Sequence, residues 1–275
     1  VSNQSIRQGR KRSYSETFVE QLFTNGNQFE EDVVADIKDL CTPEQFVEIG
    51  QSYHARTFEK YIETIKAIVF GIQVIYQPVL WNPKNKTFGC GDLLIRSDFK
   101  HRIFDETQET LALDGNNFDD VFDDETNYKY NVYEVKWTTI KMSANGDSML
   151  NNASCKAYKS QLWIYNECLN RIQKRKTNKS YVIGKSYTRT ITRRGVSDTK
   201  IYDNPLDTIA GVYFDKEKDV IKKSRRAITW NKKLRGKNKF KIDPPNDPNL
   251  YPNMKVTNDD EYKKIKQHLA DKNKE

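Results

Sequence analysis

Two acidic residues and a lysine lie in stretches that are typical of neighbouring buried strands. Asp92 opens the apolar run 93–95 directly after a glycine-flanked turn, which predicts a short buried strand. Glu134 and Lys136 lie two residues apart in the aromatic and β-branched stretch 132–137, so both face the same side of a strand. Carboxylate oxygens are ligands that Mg²⁺ prefers, and a nearby ammonium can orient a water and offset charge on phosphorus. The set predicts metal-assisted hydrolysis of a phosphodiester.

A glutamine and a tyrosine follow at helical spacing. Gln161 and Tyr165 are four residues apart in the stretch 158–169, so on a helix they share one face. Leu162 and Leu169 have the same helical spacing, which leaves two interpretations of Tyr165: a functional group or a residue of the core. For Gln161 we favour the functional role.

The order of these motifs resembles the PD-(D/E)XK nuclease superfamily over about residues 26–185. Gly91-Asp92 and Glu134-Val135-Lys136 are similar to its two strand motifs. The segment 161–165 is similar to the Q-x-x-x-Y helix of its RecB-like branch, which includes lambda-type exonucleases. The stretch 71–80 looks like the strand that precedes the aspartate in RecB-type nucleases. The resemblance implies an α/β fold with a restriction-endonuclease-like αβββαβ core.

The resemblance also implies a set of roles. Its catalytic residues here are Glu30, Asp92, Glu134, Lys136, Gln161 and Tyr165. One or two Mg²⁺ or Mn²⁺ ions are expected, held by Glu30, Asp92, Glu134 and the carbonyl of Val135. Lys136 positions the attacking water, Gln161 hydrogen-bonds near the lysine, and Tyr165 supports the phosphate. Some relatives hold an iron–sulfur cluster through late cysteines. This sequence has no cysteine after Cys168, so no cluster is expected.

Each motif also has a plainer interpretation. An acid two residues before a lysine recurs at 36/38, 98/100, 198/200 and 261/263, so the spacing alone describes a solvated ion pair equally well. Glu30 shares a helical stripe with Val34 and Ile37, which directs it toward the core side. An acidic residue in the first turns of a helix is favoured by the helix dipole without any ligand.

Net charge and its distribution predict a polyanionic partner. The chain carries a net charge of +8 and has a sequence pI near 9.1. Basic residues cluster in the segments 7–12, 171–179, 189–194 and 222–241. The candidate nucleic-acid contacts are Lys185, Arg189, Arg193, Arg194, Arg225, Arg226 and Trp230. For Trp230 a place in the core is an equally good interpretation.

Composition restricts the compartment. With 275 residues the chain can bury one substantial core. The sequence has neither an apolar run of transmembrane length nor a signal peptide, so no membrane association or secretion is expected. The four cysteines form no C-x-x-C pair, which argues against a zinc site or a disulfide framework. We expect an intracellular protein of the cytoplasm or nucleus.

The pattern along the chain predicts one elaborated domain. We expect a disordered basic tail at 1–13, a nuclease domain at 14–255 with an acidic loop insertion at about 99–129, and a polar helix or tail at 256–275. Helices are predicted at 15–23, 29–40, 43–70 with a break near Gly50, 158–169 and 219–234. Strands are predicted at 72–80, 88–96, 130–138, 180–191 and 209–214, with a hairpin turn at 82–85. The fold class is α/β, with a mixed central sheet flanked by helices on both faces and helical additions at both ends.

These features together predict a metal-dependent DNA exonuclease acting in DNA repair, recombination or replication. A helicase or another replication or repair protein is a possible partner. One alternative is a DNA or RNA endonuclease of the same superfamily. RNA endonucleases of the cap-snatching type usually place a histidine in the early helix, where this chain has Glu30. Another alternative is a catalytically silent nucleic-acid-binding domain.

Overall fold

The computed structural model describes residues 3–50, 56–104, 128–151 and 155–236, together with residues 267 and 271. The helices are α1 (Asn3–Asp39), α2 (Phe58–Val69), α3 (Cys155–Ile172) and α4 (Lys218–Gly236), with short 3₁₀ turns at Pro43–Gln45 and Lys100–Arg102. The strands are β1 (Phe46–Glu48), β2 (Val74–Tyr76), β3 (Val79–Asn82), β4 (Thr87–Cys90), β5 (Leu93–Arg96), β6 (Tyr130–Met142), β7 (Lys179–Arg193), β8 (Val196–Tyr202) and β9 (Ala210–Tyr213).

Seven of the strands form one mixed sheet in the order β1-β2-β5-β6-β7-β8, and β9 pairs with the beginning of β7. The pairs β1–β2 and β6–β7 are parallel, and the others are antiparallel. β3 and β4 form a separate two-stranded hairpin. The long strand β6 therefore lies inside the sheet, with β5 on one side and β7 on the other.

Helices cover both faces of β6. On one face, Val33 and Ile37 of α1 belong to the same buried cluster as Tyr133 and Val135 of β6. On the other face, the intervening residue Glu134 meets α3. The side chains alternate across the strand as a period of two requires. The expected α/β class, with a mixed central sheet flanked by helices, is confirmed.

The strand predicted at 72–80 is two strands that belong to different sheets. Gln77 has a φ of +48°, which turns the chain, and Pro78 has no N–H to donate to a sheet. The strand predicted at 88–96 is likewise divided, at Gly91 and Asp92. The two interruptions face each other: the Gln77 N–H donates to the Asp92 carbonyl at 2.8 Å, and the Gly91 N–H donates to the Pro78 carbonyl at 3.1 Å.

The helix predicted to begin at Pro43 is wrong, because the segment makes one 3₁₀ turn and then enters β1. The start signal itself is present: the Thr42 N–H donates to Gln45 Oε1 at 3.0 Å. Aromatic and β-branched residues at 46–49 favour a strand, and β1 completes parallel pairing with β2. The second part of the prediction corresponds to α2, which begins after the cap Thr57.

The first helix is continuous from Asn3 to Asp39, where the sequence predicted a tail at 1–13 and two separate helices. Gly26 costs only about 1 kcal/mol in a helix interior, and no proline interrupts the segment, so the helix propagates through it. At the other end of the sheet β8 was missed because its residues are exposed on both faces and show no apolar alternation.

Contacts divide the chain into two compact units, Val1–Asn82 with Thr87–Ile221 and Pro83–Lys86 with Lys222–Glu275. The division lies within α4, and the predicted boundary near residue 255 falls outside the described residues. Within the second unit, Lys232 Nζ donates to the Lys84 carbonyl at 3.2 Å. Most of the acidic insertion and nearly all of 237–275 lie outside the described residues. None of the helices in the described ranges is both long and apolar enough to span a membrane.

Lys159 of α3 is 1% exposed, and its ammonium donates to Glu217 and, at 2.8 Å, to the Met149 carbonyl. We expect Lys159→Met to lower the free energy of unfolding by about 3–5 kcal/mol, because it leaves the Glu217 charge buried and unpaired. Lys159→Met with Glu217→Leu should recover most of this loss, since no lone charge remains. Urea unfolding measures both. A double variant as unstable as the sum of the single variants would contradict the pairing.

Candidate active site

The register of β5 and β6 brings the two predicted acidic residues together. Leu93 pairs with Tyr133, which places Asp92 just beyond the end of β5 beside Glu134. The Val135 N–H donates to Asp92 Oδ2 at 2.7 Å, so the aspartate is held by the backbone of the strand that carries Glu134. This bond fixes the distance between Asp92 and the strand of Glu134. The sequence predicted only that the two acidic residues lie on neighbouring strands.

Lys136 lies between the two carboxylates. Its Nζ donates to Glu134 Oε1 at 2.7 Å and lies 4.0 Å from Asp92 Oδ2. Burial alone lowers the pKa of Lys136, but attraction to Glu134 and then to Asp92 outweighs burial, and the pKa is raised. The lysine is therefore a permanent cation in this arrangement, suited to attract an anion or orient a water and unsuited to accept a proton.

Glu134 is 1% exposed and has one satisfied oxygen. Oε1 accepts from Lys136 and, at 2.5 Å, from Nε2 of Gln161. Oε2 is buried and has no hydrogen-bond donor among the described residues. A buried carboxylate oxygen without a partner is costly, and such an atom in a polar cluster indicates a position that a ligand fills.

Gln161 and Tyr165 share one face of α3, as predicted. Gln161 Nε2 lies 3.3 Å from the Tyr165 hydroxyl. The tyrosine ring lies against β4 at Gly89, where an added Cβ would be 2.6 Å from Cε1 of the ring. Burial, followed by the charge of Glu134, raises the pKa of Tyr165 to about 12, so the hydroxyl keeps its proton. The tyrosine is both a packing residue and a neutral hydrogen-bonding group of the site.

Glu30, on α1, is held by hydrogen bonds from two residues that the motifs did not indicate. Its Oε1 accepts from the Tyr76 hydroxyl at 3.1 Å and from Gln77 Nε2 at 3.4 Å. Together with Arg56 and Asp92, these residues line a cavity of about 470 Å³. The only sequence signal for Gln77 was the proline that follows it, which marks an extended or turning residue.

Asp92 and Glu134 both have raised pKa values. Burial, followed by the charges of Glu134 and Glu30, raises the pKa of Asp92 well above its usual range. Burial also raises the pKa of Glu134, with partial compensation from Lys136. Cys90 lies beside this cluster, where burial and then Asp92 raise the pKa of its thiol to about 12. Lys136, whose pKa is raised, supplies a positive charge next to Asp92 and Glu134 in this acidic cluster.

Among the described residues, no three His, Cys, Asp or Glu side chains are close enough together to hold a metal ion in this conformation. Glu30 is directed to Tyr76 and Gln77, and Oε1 of Glu134 is directed to Lys136. Val135, whose carbonyl was a further predicted ligand, is 6% exposed within β6. The structure thus brings Asp92, Glu134, Lys136 and Gln161 together, and it places Glu30 in the same cavity as Asp92.

The predicted nucleic-acid contacts lie on two elements. On β7 and the turn after it, Lys185, Arg193 and Arg194 are exposed, whereas Arg189 is half-buried and donates from Nε to the Ala144 carbonyl at 2.7 Å. Lys185 Nζ lies 5.0 Å from the centroid of the Trp137 ring. On α4, within the second unit, Arg225 and Arg226 are exposed and Trp230 is half-buried.

No protein-family model matches the chain, and no curated protein matches it significantly. The Glu134 carboxylate has one oxygen that accepts from Lys136 and Gln161, and a second oxygen that is buried without a hydrogen-bond donor among the described residues.

Gly89→Ala tests the packing of Tyr165. The new Cβ would lie 2.6 Å from the ring, so we expect the free energy of unfolding to fall by about 1–3 kcal/mol. Gly91→Ala is the matched control, because its Cβ would meet no described atom closer than 3.7 Å. In a Tyr165→Ala background the cost of Gly89→Ala should disappear. Equal costs with and without the ring, measured by urea unfolding, would contradict the contact.

Asp92→Asn should stabilise the protein in the absence of metal, because it removes one of three mutually repelling carboxylates and keeps an oxygen for the Val135 N–H. The melting temperature in EDTA should rise, by about 2–4 °C for each kcal/mol gained. Glu31→Gln is the control, since Glu31 lines the same cavity but is exposed. A melting temperature that falls in Asp92→Asn and not in Glu31→Gln would show that the aspartate is a structural residue.

Proposed function

We propose that the protein is a metal-dependent nuclease that hydrolyses phosphodiester bonds in DNA, most simply as an exonuclease. The observation that carries the proposal is the pair of largely buried carboxylates, Asp92 and Glu134, with Lys136 between them and one glutamate oxygen left without a donor among the described residues. A structural ion pair would satisfy both oxygens or expose the free one to water.

The donor set fits a hard divalent cation. Asp92 and Glu134 would hold Mg²⁺ or Mn²⁺ through carboxylate oxygens, with Glu30 and the Val135 carbonyl as further ligands for one or two ions. When bound, such an ion lowers the pKa of a coordinated water and offsets charge on the transferring phosphate. The unpaired Oε2 of Glu134 is the observation that supports this fit.

The other side chains have distinct tasks. Lys136, whose raised pKa keeps it charged, holds the attacking water or a phosphate oxygen by attraction. Gln161 fixes the rotamer of Glu134 through its hydrogen bond to Oε1. Tyr165 supplies a neutral hydroxyl beside Gln161. The Val135 N–H prevents Asp92 from rotating out of the site. Each of these contacts positions a group before the reaction starts. In phosphoryl transfer, such positioning accounts for a large part of the lowering of the barrier.

The basic surface supports DNA as the substrate, because a net charge of +8 attracts a polyanion and favours contacts to phosphates over base edges. The choice of an exonuclease comes from the resemblance to the Q-x-x-x-Y branch. An intracellular role in repair, recombination or replication, with a helicase or similar protein as partner, belongs to the same proposal. An endonuclease for DNA or RNA, and a silent binding domain, are the alternatives that the experiment separates.

Lys136→Ala should reduce cleavage of linear DNA by about 10²–10⁴-fold in kcat, because the water loses its positioning cation. Lys141→Ala is the control, since Lys141 is an exposed lysine on the same strand. The assay follows labelled linear and covalently closed circular DNA with Mg²⁺, Mn²⁺ or EDTA. Loss of linear DNA alone supports an exonuclease, and nicking of circles supports an endonuclease. No metal-dependent cleavage of DNA by the wild type would contradict the proposal, and cleavage of RNA instead would change the substrate.

A further inference from the structure

Strands β7 and β8 form a two-stranded ribbon, from Tyr187 to Tyr202, that extends past the rest of the sheet. β6 pairs with β7 only as far as Arg189. Beyond Arg189, β7 pairs with β8 alone. Side chains from Thr192 to Ile201 are all exposed. The turn is formed by Arg194 and Gly195, both at positive φ (+49° and +80°), the geometry that tightly joins two twisted strands.

The pairing register gives the ribbon two chemically different faces. One face carries the opposed pairs Arg189/Lys200, Ile191/Asp198 and Arg193/Val196. The other carries the opposed hydroxyl pairs Thr190/Thr199 and Thr192/Ser197, whose oxygens lie 3.0 and 2.9 Å apart. We refer to these as the charged face and the hydroxyl face. Side-chain hydrogen bonds join the opposed residues of the hydroxyl face, and the structure describes none between the opposed side chains of the charged face.

On the charged face, two basic residues lie opposite each other in the cross-strand register. Arg189 and Lys200 are cross-strand partners, an arrangement that destabilises an isolated pair of strands. Arg193 and the turn residue Arg194 add two more charges, against the single acid Asp198. No carboxylate in the described part of the chain forms an ion pair with Arg193, Arg194 or Lys200. Lys200 Nζ lies 4.5 Å from the centroid of the Tyr202 ring. A bound polyanion would offset this local excess of positive charge.

The root of the ribbon is fixed near the candidate active site. Lys136 pairs in register with Gly184 of β7, three residues before the ribbon begins. At the root, the Arg189 guanidinium is tied to the Ala144 carbonyl and lies against Gly146. The ten residues from Gly184 to Arg193 make nine steps, which span about 30 Å at the rise of an extended strand. The charged face thus begins close to the candidate site and leads away from it.

We propose that the charged face of this ribbon is an arm that binds the phosphate backbone of duplex DNA outside the cleavage site, through Arg193, Arg194 and Lys200. The position of the scissile bond rests on the proposed nuclease function, whereas the binding itself does not. Contacts of this kind carry no sequence information, and they release counterions when they form. The arm therefore contributes affinity that depends steeply on salt.

The test compares three full-length proteins: wild type, a charged-face variant and a hydroxyl-face variant. The first variant is Arg193→Gln with Arg194→Asn and Lys200→Gln, in which asparagine is chosen because it tolerates the positive φ at position 194. The matched control is Thr190→Val with Thr199→Val, which alters the same ribbon on its other face. Binding of a labelled linear duplex is measured by fluorescence anisotropy in EDTA, over a series of salt concentrations.

For the charged-face variant we expect about tenfold weaker binding at moderate salt, and a slope of log K against log salt smaller by about 2–3, near 0.9 for each lost phosphate contact. The hydroxyl-face variant should bind like the wild type. An unchanged slope in the charged-face variant would overturn the inference, and so would an equal loss in both variants. Circular dichroism and melting temperatures confirm that the three proteins are folded alike.

Hydrolysis of a small activated phosphodiester separates this inference from the proposed function. Such a substrate is too short to reach the ribbon, so the charged-face variant should hydrolyse it at the wild-type rate in Mg²⁺ or Mn²⁺. If the wild type cleaves no phosphodiester but the salt slope still depends on the charged face, the arm stands and the nuclease proposal fails. If cleavage occurs and the slope is unaffected, the nuclease stands and the arm fails.

Discussion

The arrangement depends on one costly group, the carboxylate of Glu134, which is buried between the central strand and α3. An ionised carboxylate tolerates such a position only where hydrogen bonds and an opposite charge compensate for lost water. Lys136 and Gln161 compensate at one oxygen. The other oxygen has no donor among the described residues, so the compensation is incomplete. Much of the surrounding structure, with helices on both faces and strands on both sides of β6, keeps this carboxylate where it is.

A second constraint comes from the two interrupted strands. Gln77 and Asp92 each lie where a strand leaves the main sheet for the β3–β4 hairpin, and the backbone of one donates to the other. The interruptions release both side chains from the regular alternation of a sheet and turn them toward the same cavity. A positive φ at a glutamine costs energy, and such costs persist where the surrounding packing and hydrogen bonds determine the backbone. The helix-borne Glu30 reaches the cavity because Gln77 and Tyr76 meet its carboxylate.

Local patterns were reliable where a single element decides the geometry. The period-two strand at Glu134 and Lys136 is confirmed in β6, and the helix carrying Gln161 and Tyr165 is confirmed in α3. Predictions from local patterns were wrong where pairing with a distant segment determined the secondary structure. The segment after Thr42 has a good helix cap, yet it forms β1 because β2 offers a parallel edge. β8 has no apolar signal and exists because β7 and a two-residue turn provide its partner.

The sequence by itself determined the residue types of the candidate site, their order and the strand or helix that carries most of them. It could not determine that Glu134 keeps one oxygen without a partner in the described structure, or that Tyr76 and Gln77 hold Glu30. The sequence also could not show that Arg189, Arg193 and Lys200 lie on one face of the ribbon. Those features are set by cross-strand register and by burial against other elements. Both arise from contacts between segments far apart in the chain, about which a local pattern carries little information.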